Sequence, residues 1–188
     1  MPQLDAYIPA GALTPDAEHG LIARLTDLLI RHEGADPANE MVRSIAWVFV
    51  HRPESVYVGG LPSAAPRYRF IASVPEGQFN ADRRQAIVAD ITEAVLDAEQ
   101  GAHPRDPMRV WVFTPEVPDG TWGGAGSIVT LADIVGLALG DMQQGREYAE
   151  RVFAERRGEL VTATTRSDEE ASARVTTEAG PVQRRQPS

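Results

Sequence analysis

The stretch WVFVHRPESVYVGG, residues 47–60, decides the fold, because a related stretch, WVFTPEVPDGTWGG, occupies residues 111–124. Both begin with Trp-Val-Phe, continue through Pro-Glu and an aromatic residue, and end in a glycine pair. The β-branched and aromatic start predicts a buried strand, and the glycine pair predicts a hairpin turn. The ordered recurrence, 64 residues apart, indicates a tandem duplication.

A strand and a helix are predicted ahead of each copy of this stretch. Residues Gln3–Ile8 alternate between apolar and polar side chains, which is typical of a half-buried strand. Thr14-Pro15 then supplies a helix start, and the apolar spacing predicts a helix over about 15–33. In the second half, Arg67–Val74 predicts a strand, and Asn80 can cap the following helix.

These elements predict an α/β fold in which two tandem βαβ units, about 2–61 and 66–126, form a four-stranded sheet with two helices on one face. Helical spacing further along predicts a C-terminal helix at about 130–154, which completes a domain over 1–155. Residues 156–188 are rich in Thr, Ser, Glu and Arg, and we predict a disordered tail there.

The composition excludes several classes of function. The chain has 188 residues, a net charge of -9 and no cysteine, which excludes thiolate chemistry and disfavours nucleic acid as a partner. No apolar run approaches the roughly 18 residues of a membrane span, so a cytoplasmic protein without membrane contact is expected. The four histidines lack metal-ligand spacing, so no metal site is expected.

Amine chemistry is confined to the start of the chain. All 18 basic residues are arginine, so amine-based catalysis requires the terminal residues Met1-Pro2. Removal of Met1 would expose Pro2 as a secondary amine, which is a good base when an apolar pocket destabilises its protonated form. The alternative is that Pro2 is an ordinary second residue without a catalytic role.

An N-terminal proline that opens a strand, in a chain of two βαβ units, resembles the tautomerase superfamily over about residues 2–135. Leu13-Thr14-Pro15 and Val58-Gly59-Gly60 are similar to its fused group, which includes cis-3-chloroacrylic acid dehalogenase. The stretch from Met108-Arg109-Val110 to Trp122-Gly123-Gly124 is similar to the segment of 4-oxalocrotonate tautomerase that carries a substrate-binding arginine and an aromatic hairpin.

The resemblance implies a cofactor-independent keto–enol tautomerase of a small 2-oxo or 2-hydroxydienoate acid, assembled as a homotrimer. It implies that Pro2 is the general base or acid, that Arg109 binds the substrate carboxylate, and that Trp122 walls the pocket of the base. Arg67 and Arg69 alternate on one predicted strand and therefore share a face, where they could clamp a carboxylate. The alternative for these two arginines is a solvated sheet edge.

Two other functions stay open at this stage. The paired arginines of the dehalogenases fall within Pro75–Phe79, which contains no arginine. A decarboxylase or a dehalogenase/hydratase would need a water-activating acid, for which Glu54, Glu116 and Asp119 are the candidates. The missing arginines and the charged tail favour the other alternative, a catalytically silent interaction protein on the same scaffold.

Overall fold

The first βαβ unit follows from the local signals at the start of the chain. The structure, a computed structural model, describes residues 3–158, so Pro2 and residues 159–188, nearly all of the predicted tail, lie outside the described residues. The elements are β1 (Gln3–Tyr7), α1 (Pro15–His32), a short α2 (Glu40–Ser44) and β2 (Trp47–His51). The Thr14 hydroxyl caps α1 by accepting a hydrogen bond from the Ala17 N–H. β1 and β2 are parallel, with Gln3 opposite Trp47.

The second unit repeats this arrangement. After a hairpin of β3 (Tyr57–Val58) and β4 (Leu61–Pro62) come β5 (Tyr68–Pro75), α3 (Ala81–Ala98), a 3₁₀ turn (Pro107–Arg109) and β6 (Val110–Phe113). Asn80 caps α3 through its side chain, as predicted. β5 and β6 are parallel, with Arg69 opposite Trp111. Trp47 and Trp111 therefore occupy the same position in two βαβ units, and the predicted repeat is confirmed.

The sheet has the strand order β2–β1–β5–β6, with β1 and β5 antiparallel at its centre. The predicted four strands gain a fifth, β7 (Glu116–Val117), which pairs with the end of β5. The chain bends after β6, and the Val74 N–H then donates to the Pro115 carbonyl at 3.3 Å. β7 therefore pairs only with the last residues of β5, which extend beyond the end of β6.

The core lies between one face of the sheet and the two long helices. Alternate residues of β1 and β5 are fully buried in one cluster with the apolar faces of α1 and α3, and these residues include Leu4, Ala6, Phe70, Leu25, Leu29, Ile87 and Ile91. Both long helices therefore cover the same face, as predicted. The opposite face, which we call the open face, carries Trp47, Phe49, Trp111 and Phe113 at 43–62% exposure.

The region after β6 differs from the predicted single helix. A hairpin of β8 (Trp122–Gly124) and β9 (Ser127–Val129) leads into α4 (Leu131–Leu139), which ends because Gly140 takes the left-handed conformation with φ +69°. Residues 142–149 form a second helix that packs closely against α4. The compact unit ends at Ala149, and residues 150–158 are helical. Within residues 3–158, no helix has the length and apolar character needed to cross a membrane.

Candidate active site

A cavity of about 270 Å³, which we call the terminal pocket, lies at the end of the sheet where β1 begins and β5 ends. Its lining joins the end of α1, the segment around α2, the end of β5, α4 and Tyr148. The apolar part of the wall consists of Val42, Ile45, Leu131, Ile134, Val135, Ala138 and Leu139. Gln3, the first residue of β1 and of the described chain, lies at this end of the sheet.

Two polar side chains line the terminal pocket with atoms that lack partners. Glu33 is the C-cap residue of α1, and its Oε1 atom is buried. Gln78 is 4% exposed, and its Oε1 atom accepts a hydrogen bond from the Tyr148 hydroxyl at 3.3 Å. Among the described residues, neither Glu33 Oε1 nor Gln78 Nε2 has a hydrogen-bond partner. The wall of the pocket therefore contains one buried acceptor and one buried donor that lack a partner among the described residues.

The environment of Glu33 favours the protonated carboxyl. Burial raises the pKa of Glu33 to about 7, and the positive charge of the chain terminus acts in the opposite direction. The carboxyl also lies at the C-terminal end of α1, where the helix dipole disfavours negative charge. Near neutral pH this carboxyl can therefore either donate or accept a proton.

A second cavity of about 570 Å³, the arginine cleft, lies at the opposite end of β1 and β5. Two predicted residues, Arg67 and Arg69, line it together. The guanidinium of Arg69 lies 5.2 Å from the ring centres of both Tyr7 and Phe113. Arg67 donates from Nε to the Ser63 hydroxyl at 3.2 Å. The predicted pair therefore shares one cavity, and aromatic rings hold Arg69 in place.

Arg109 also borders the arginine cleft, but its guanidinium is 3% exposed and forms two hydrogen bonds with Glu99. The Tyr68 hydroxyl donates to the same carboxylate at 2.9 Å. Burial alone would raise the pKa of Glu99, but the hydrogen bonds from Arg109 and Tyr68 hold it below its usual range. The guanidinium is thus already paired, which disfavours the predicted role of Arg109 in carboxylate binding.

The remaining predicted residues lie apart from the arginine cleft. Trp122 is half-buried on β8 and lines neither cavity. Pro2 lies outside the described residues, but Gln3 and Tyr7 are four residues apart on β1, a span of about 13 Å. Because Arg69 pairs with Tyr7, one chain places its start and its arginine cleft at opposite ends of the strand.

Two of the three acids considered for water activation have structural partners. Glu116 forms an ion pair with Arg84 at 3.1 Å and accepts hydrogen bonds from the N–H groups of Gly77 and Phe79. Asp119 accepts a hydrogen bond from the Leu131 N–H at 2.8 Å, at the start of α4. Glu54 is exposed.

Glu33 and Gln78 are not among the residues predicted from the sequence. One signal pointed to Glu33: an acidic residue directly after His32, at the end of a helix, is opposed by the helix dipole. Gln78 carried no such signal, because its position in the pocket depends on Tyr148, which is 70 residues further along the chain.

No family model and no curated protein matches the chain. Solved structures do match, and they have the tautomerase-superfamily fold. N1, a member of the cis-3-chloroacrylic acid dehalogenase family, is 18% identical with a TM-score of 0.55 and covers 68% of this chain and 82% of its own. The R7 fused 4-OT wild-type asymmetric trimer is 20% identical with a TM-score of 0.55, covering 67% and 94%. Pt0534 inactivated by 2-oxo-3-pentynoate is 20% identical with a TM-score of 0.54, and the match covers 67% of this chain and 94% of Pt0534.

Proposed function

We propose that this protein is a cofactor-independent keto–enol tautomerase of a small 2-oxo or 2-hydroxydienoate acid, with the amine of Pro2 as the proton carrier. The observation that carries the proposal is the terminal pocket, which is largely apolar and lies where β1 begins. An apolar wall disfavours an ammonium ion and so keeps an amine in its basic form. No lysine competes for this role.

In the proposed reaction the neutral amine removes the hydroxyl proton of the enol. The O–H electron pair forms the carbonyl bond, and the electron pair of the carbon–carbon double bond accepts a proton at carbon from an acid in the site. The ammonium then returns its proton to that acid, so the amine is neutral again. Positive groups beside the dienolate lower the barrier, because they stabilise the charge that develops on oxygen. We assign carboxylate binding to Arg67 and Arg69, since the guanidinium of Arg109 is already paired.

A site that uses both the terminal pocket and the arginine cleft requires more than one copy of the chain, because the two cavities lie at opposite ends of β1. The open face supports such an assembly, since each of its two outer strands, β2 and β6, exposes a tryptophan and a phenylalanine. The structural neighbour R7 fused 4-OT is a trimer. We therefore propose a homotrimer in which one copy supplies the arginine cleft and another supplies the terminal pocket.

The test uses 2-oxo-3-pentynoate, whose alkyne is activated by the neighbouring ketone. A neutral amine adds to it, forming an N–C bond while the amine proton moves to carbon. Because the chain has no lysine, a mass increase of one reagent should map to the terminal peptide. A chain extended by one residue before Pro2 has an amide there and should lose both labelling at Pro2 and enol turnover. Full turnover by the extended chain would exclude the proposal.

A hydrating or halide-releasing enzyme is the second candidate, because the buried Oε1 atom of the half-buried Glu33 has no partner among the described residues and could accept a proton from water. Release of chloride from cis-3-chloroacrylate, measured beside enol turnover, distinguishes the two activities. Chloride release without keto–enol exchange would favour this second candidate.

A further inference from the structure

The two βαβ units place a glutamate at the same point of the fold. α1 ends at its C-cap residue Glu33, and α3 ends at its C-cap residue Glu99, 66 residues later. The same spacing relates Gln3 to Arg69, which lie opposite the equivalent residues Trp47 and Trp111. Glu33 and Glu99 are therefore equivalent positions of the duplication.

In the second unit this glutamate is fully neutralised. Arg109 pairs with the Glu99 carboxylate from the segment before β6, and the Tyr68 hydroxyl binds it from the first residue of β5. The side chains of all three residues are enclosed, and the pKa of Arg109 is raised by its hydrogen bonds to Glu99. The Glu99 carboxylate is thus paired within the second unit, although the Arg109 Nε atom of this pair has no hydrogen-bond partner among the described residues.

In the first unit the partners are different. Relative to the equivalent tryptophans, Ile45 occupies the position of Arg109, so the counter-ion is replaced by an apolar side chain. The spacing of 66 residues that relates Gln3 to Arg69 also relates residue 2 to Tyr68. In the second unit the Tyr68 hydroxyl donates a hydrogen bond to Glu99. The internal repeat therefore pairs Glu33 with residue 2 in sequence, as it pairs Glu99 with Tyr68.

The Glu33 carboxyl therefore has an isoleucine where Glu99 has its arginine partner. Buried polar atoms are almost always hydrogen-bonded, so the unpartnered Glu33 Oε1 and Gln78 Nε2 require an explanation. The two residues line one cavity, and their unpartnered atoms are an acceptor and a donor. A ligand with a carbonyl or enol oxygen and an exchangeable proton complements both.

We propose that Glu33 is the acid that works with the terminal amine and that Gln78 binds the oxygen of the substrate; this rests on the proposed function. The Pro2 amine takes the hydroxyl proton of the enol, and Gln78 Nε2 donates a hydrogen bond to the carbonyl oxygen that forms. The double-bond electron pair takes a proton from the Glu33 carboxyl at carbon. The ammonium then returns its proton to the Glu33 carboxylate, which restores both groups.

In this assignment the neutral Pro2 amine takes one proton and the protonated Glu33 carboxyl gives the other. The burial that raises the pKa of Glu33 to about 7 keeps a carboxylic acid available at neutral pH. Besides Glu33, the titratable groups that line the pocket are Asp36, in the loop after α1, and Tyr148, and the charge of the chain terminus lowers the pKa of Glu33. From α3, Arg83 donates to the Gln78 carbonyl at 3.0 Å and so faces the same region.

The decisive variant is Glu33→Gln, which keeps the shape of the side chain and removes its proton chemistry. We expect kcat to fall by about 10²-fold or more with KM little changed, as expected for loss of a general acid. The limb of the pH–rate profile near neutral pH should disappear, and Glu33→Asp should restore part of the rate. Gln78→Leu should lower kcat by about 10-fold through the lost hydrogen bond to the developing oxyanion. The matched control Glu40→Gln, at an exposed position at the start of α2, should match the unaltered protein.

Labelling by 2-oxo-3-pentynoate separates this inference from the proposed function. If the protein labels at Pro2 and turns over enols, while Glu33→Gln keeps both its rate within threefold and its pH profile, the inference about Glu33 is wrong and the role of Pro2 stands. If neither labelling nor turnover occurs in the unaltered protein, the proposed function and this inference fail together. Labelling at Pro2 that persists in Glu33→Gln while turnover is lost supports both.

Discussion

At the scale of single residues, the two equivalent glutamates show how one position acquires opposite properties. Glu99 meets a guanidinium and a hydroxyl, so its pKa lies below its usual range. Glu33 meets an isoleucine and the apolar wall of α4, so burial raises its pKa to about 7. The helix C-terminus disfavours a carboxylate at both positions, and only Glu99 has a positive side chain that compensates for it.

The raised pKa of Glu33 predicts a pH-dependent stability difference. Between its ordinary pKa of 4.5 and its folded pKa of about 7, the folded chain binds a proton that the unfolded chain does not. The contribution of Glu33 to stability therefore decreases as pH rises through this range. Glu33→Gln should match the unaltered protein at pH 5 and exceed it by on the order of 2 to 3 kcal/mol at pH 8. Urea denaturation at both pH values measures this, and an equal difference at the two would contradict it.

The buried ion pair of the second unit predicts a large effect of its disruption. Arg109→Met leaves Glu99 buried without its counter-ion and should cost about 3 to 5 kcal/mol of unfolding free energy. Replacing both residues by methionine should recover much of this loss, because no buried charge then remains. Arg31→Ala, which removes an exposed arginine, is the control and should change stability by less than about 0.5 kcal/mol. Equal unfolding midpoints for Arg109→Met and Arg31→Ala would show that the pair is not structural.

At the scale of elements, the terminal pocket depends on how α4 meets the helix of residues 142–149. A Cβ atom on Gly145 would lie 2.6 Å from the backbone nitrogen of Gly136 and would also strike the Ala132 carbonyl oxygen. Backbone atoms cannot move aside as a flexible side chain can. The absence of a side chain at Gly145 therefore brings Tyr148 to its position against Gln78.

This crossing predicts that Gly145→Ala is destabilising although alanine favours helices. The added methyl group should separate the two helices and cost about 1 to 3 kcal/mol, as overpacking does. Gly20→Ala on α1 is the matched control, because no atom lies within 4 Å of its Cβ position, and it should stabilise by up to about 1 kcal/mol. Thermal unfolding and hydrogen exchange of the α4 amides measure the two effects. If both variants are equally stable, the helices do not cross as described.

Signals within a few residues of each other were sufficient to predict most of the elements. Thr14 and Asn80 cap their helices as predicted, and the repeated Trp-Val-Phe stretch marks both outer strands. The break at Gly140 was missed, because a glycine weakens a helix or ends it depending on the contacts beyond it. Gln78 was missed for the same kind of reason, since its role depends on α4 and Tyr148.

At the scale of the whole molecule, the open face is the feature that a single copy leaves unexplained. Trp47 and Trp111, each 62% exposed, are related by the duplication, so their exposure is a property of both units. Substituting both tryptophans should therefore weaken an assembly at both units. The long helices cover the other face of the sheet, so an exposed residue on a helix can serve as a control position.

We expect the unaltered protein to be trimeric and the double variant Trp47→Glu/Trp111→Glu to be monomeric, because charges on the open face oppose its burial. The monomer should also lose enol turnover, since one chain separates its arginine cleft from its terminal pocket. Light scattering after size-exclusion chromatography measures the mass. Val88→Glu, on the helical side, is the control and should remain trimeric. A fully active monomer would contradict the shared site.

The central position of β1 has a consequence for synthesis of the protein. β1 pairs with β5 on one side, and β5 ends at Pro75, so 68 residues must follow Tyr7 before that pairing is complete. At about 5 to 20 residues per second, the ribosome needs about 3 to 14 s to make them. For the part of this time that follows completion of β2 at His51, the first unit holds an unpaired edge of β1, which is available to chaperones or to other nascent chains. The order of translation thus leaves a central strand of the finished sheet with one unpaired edge until the second unit is made.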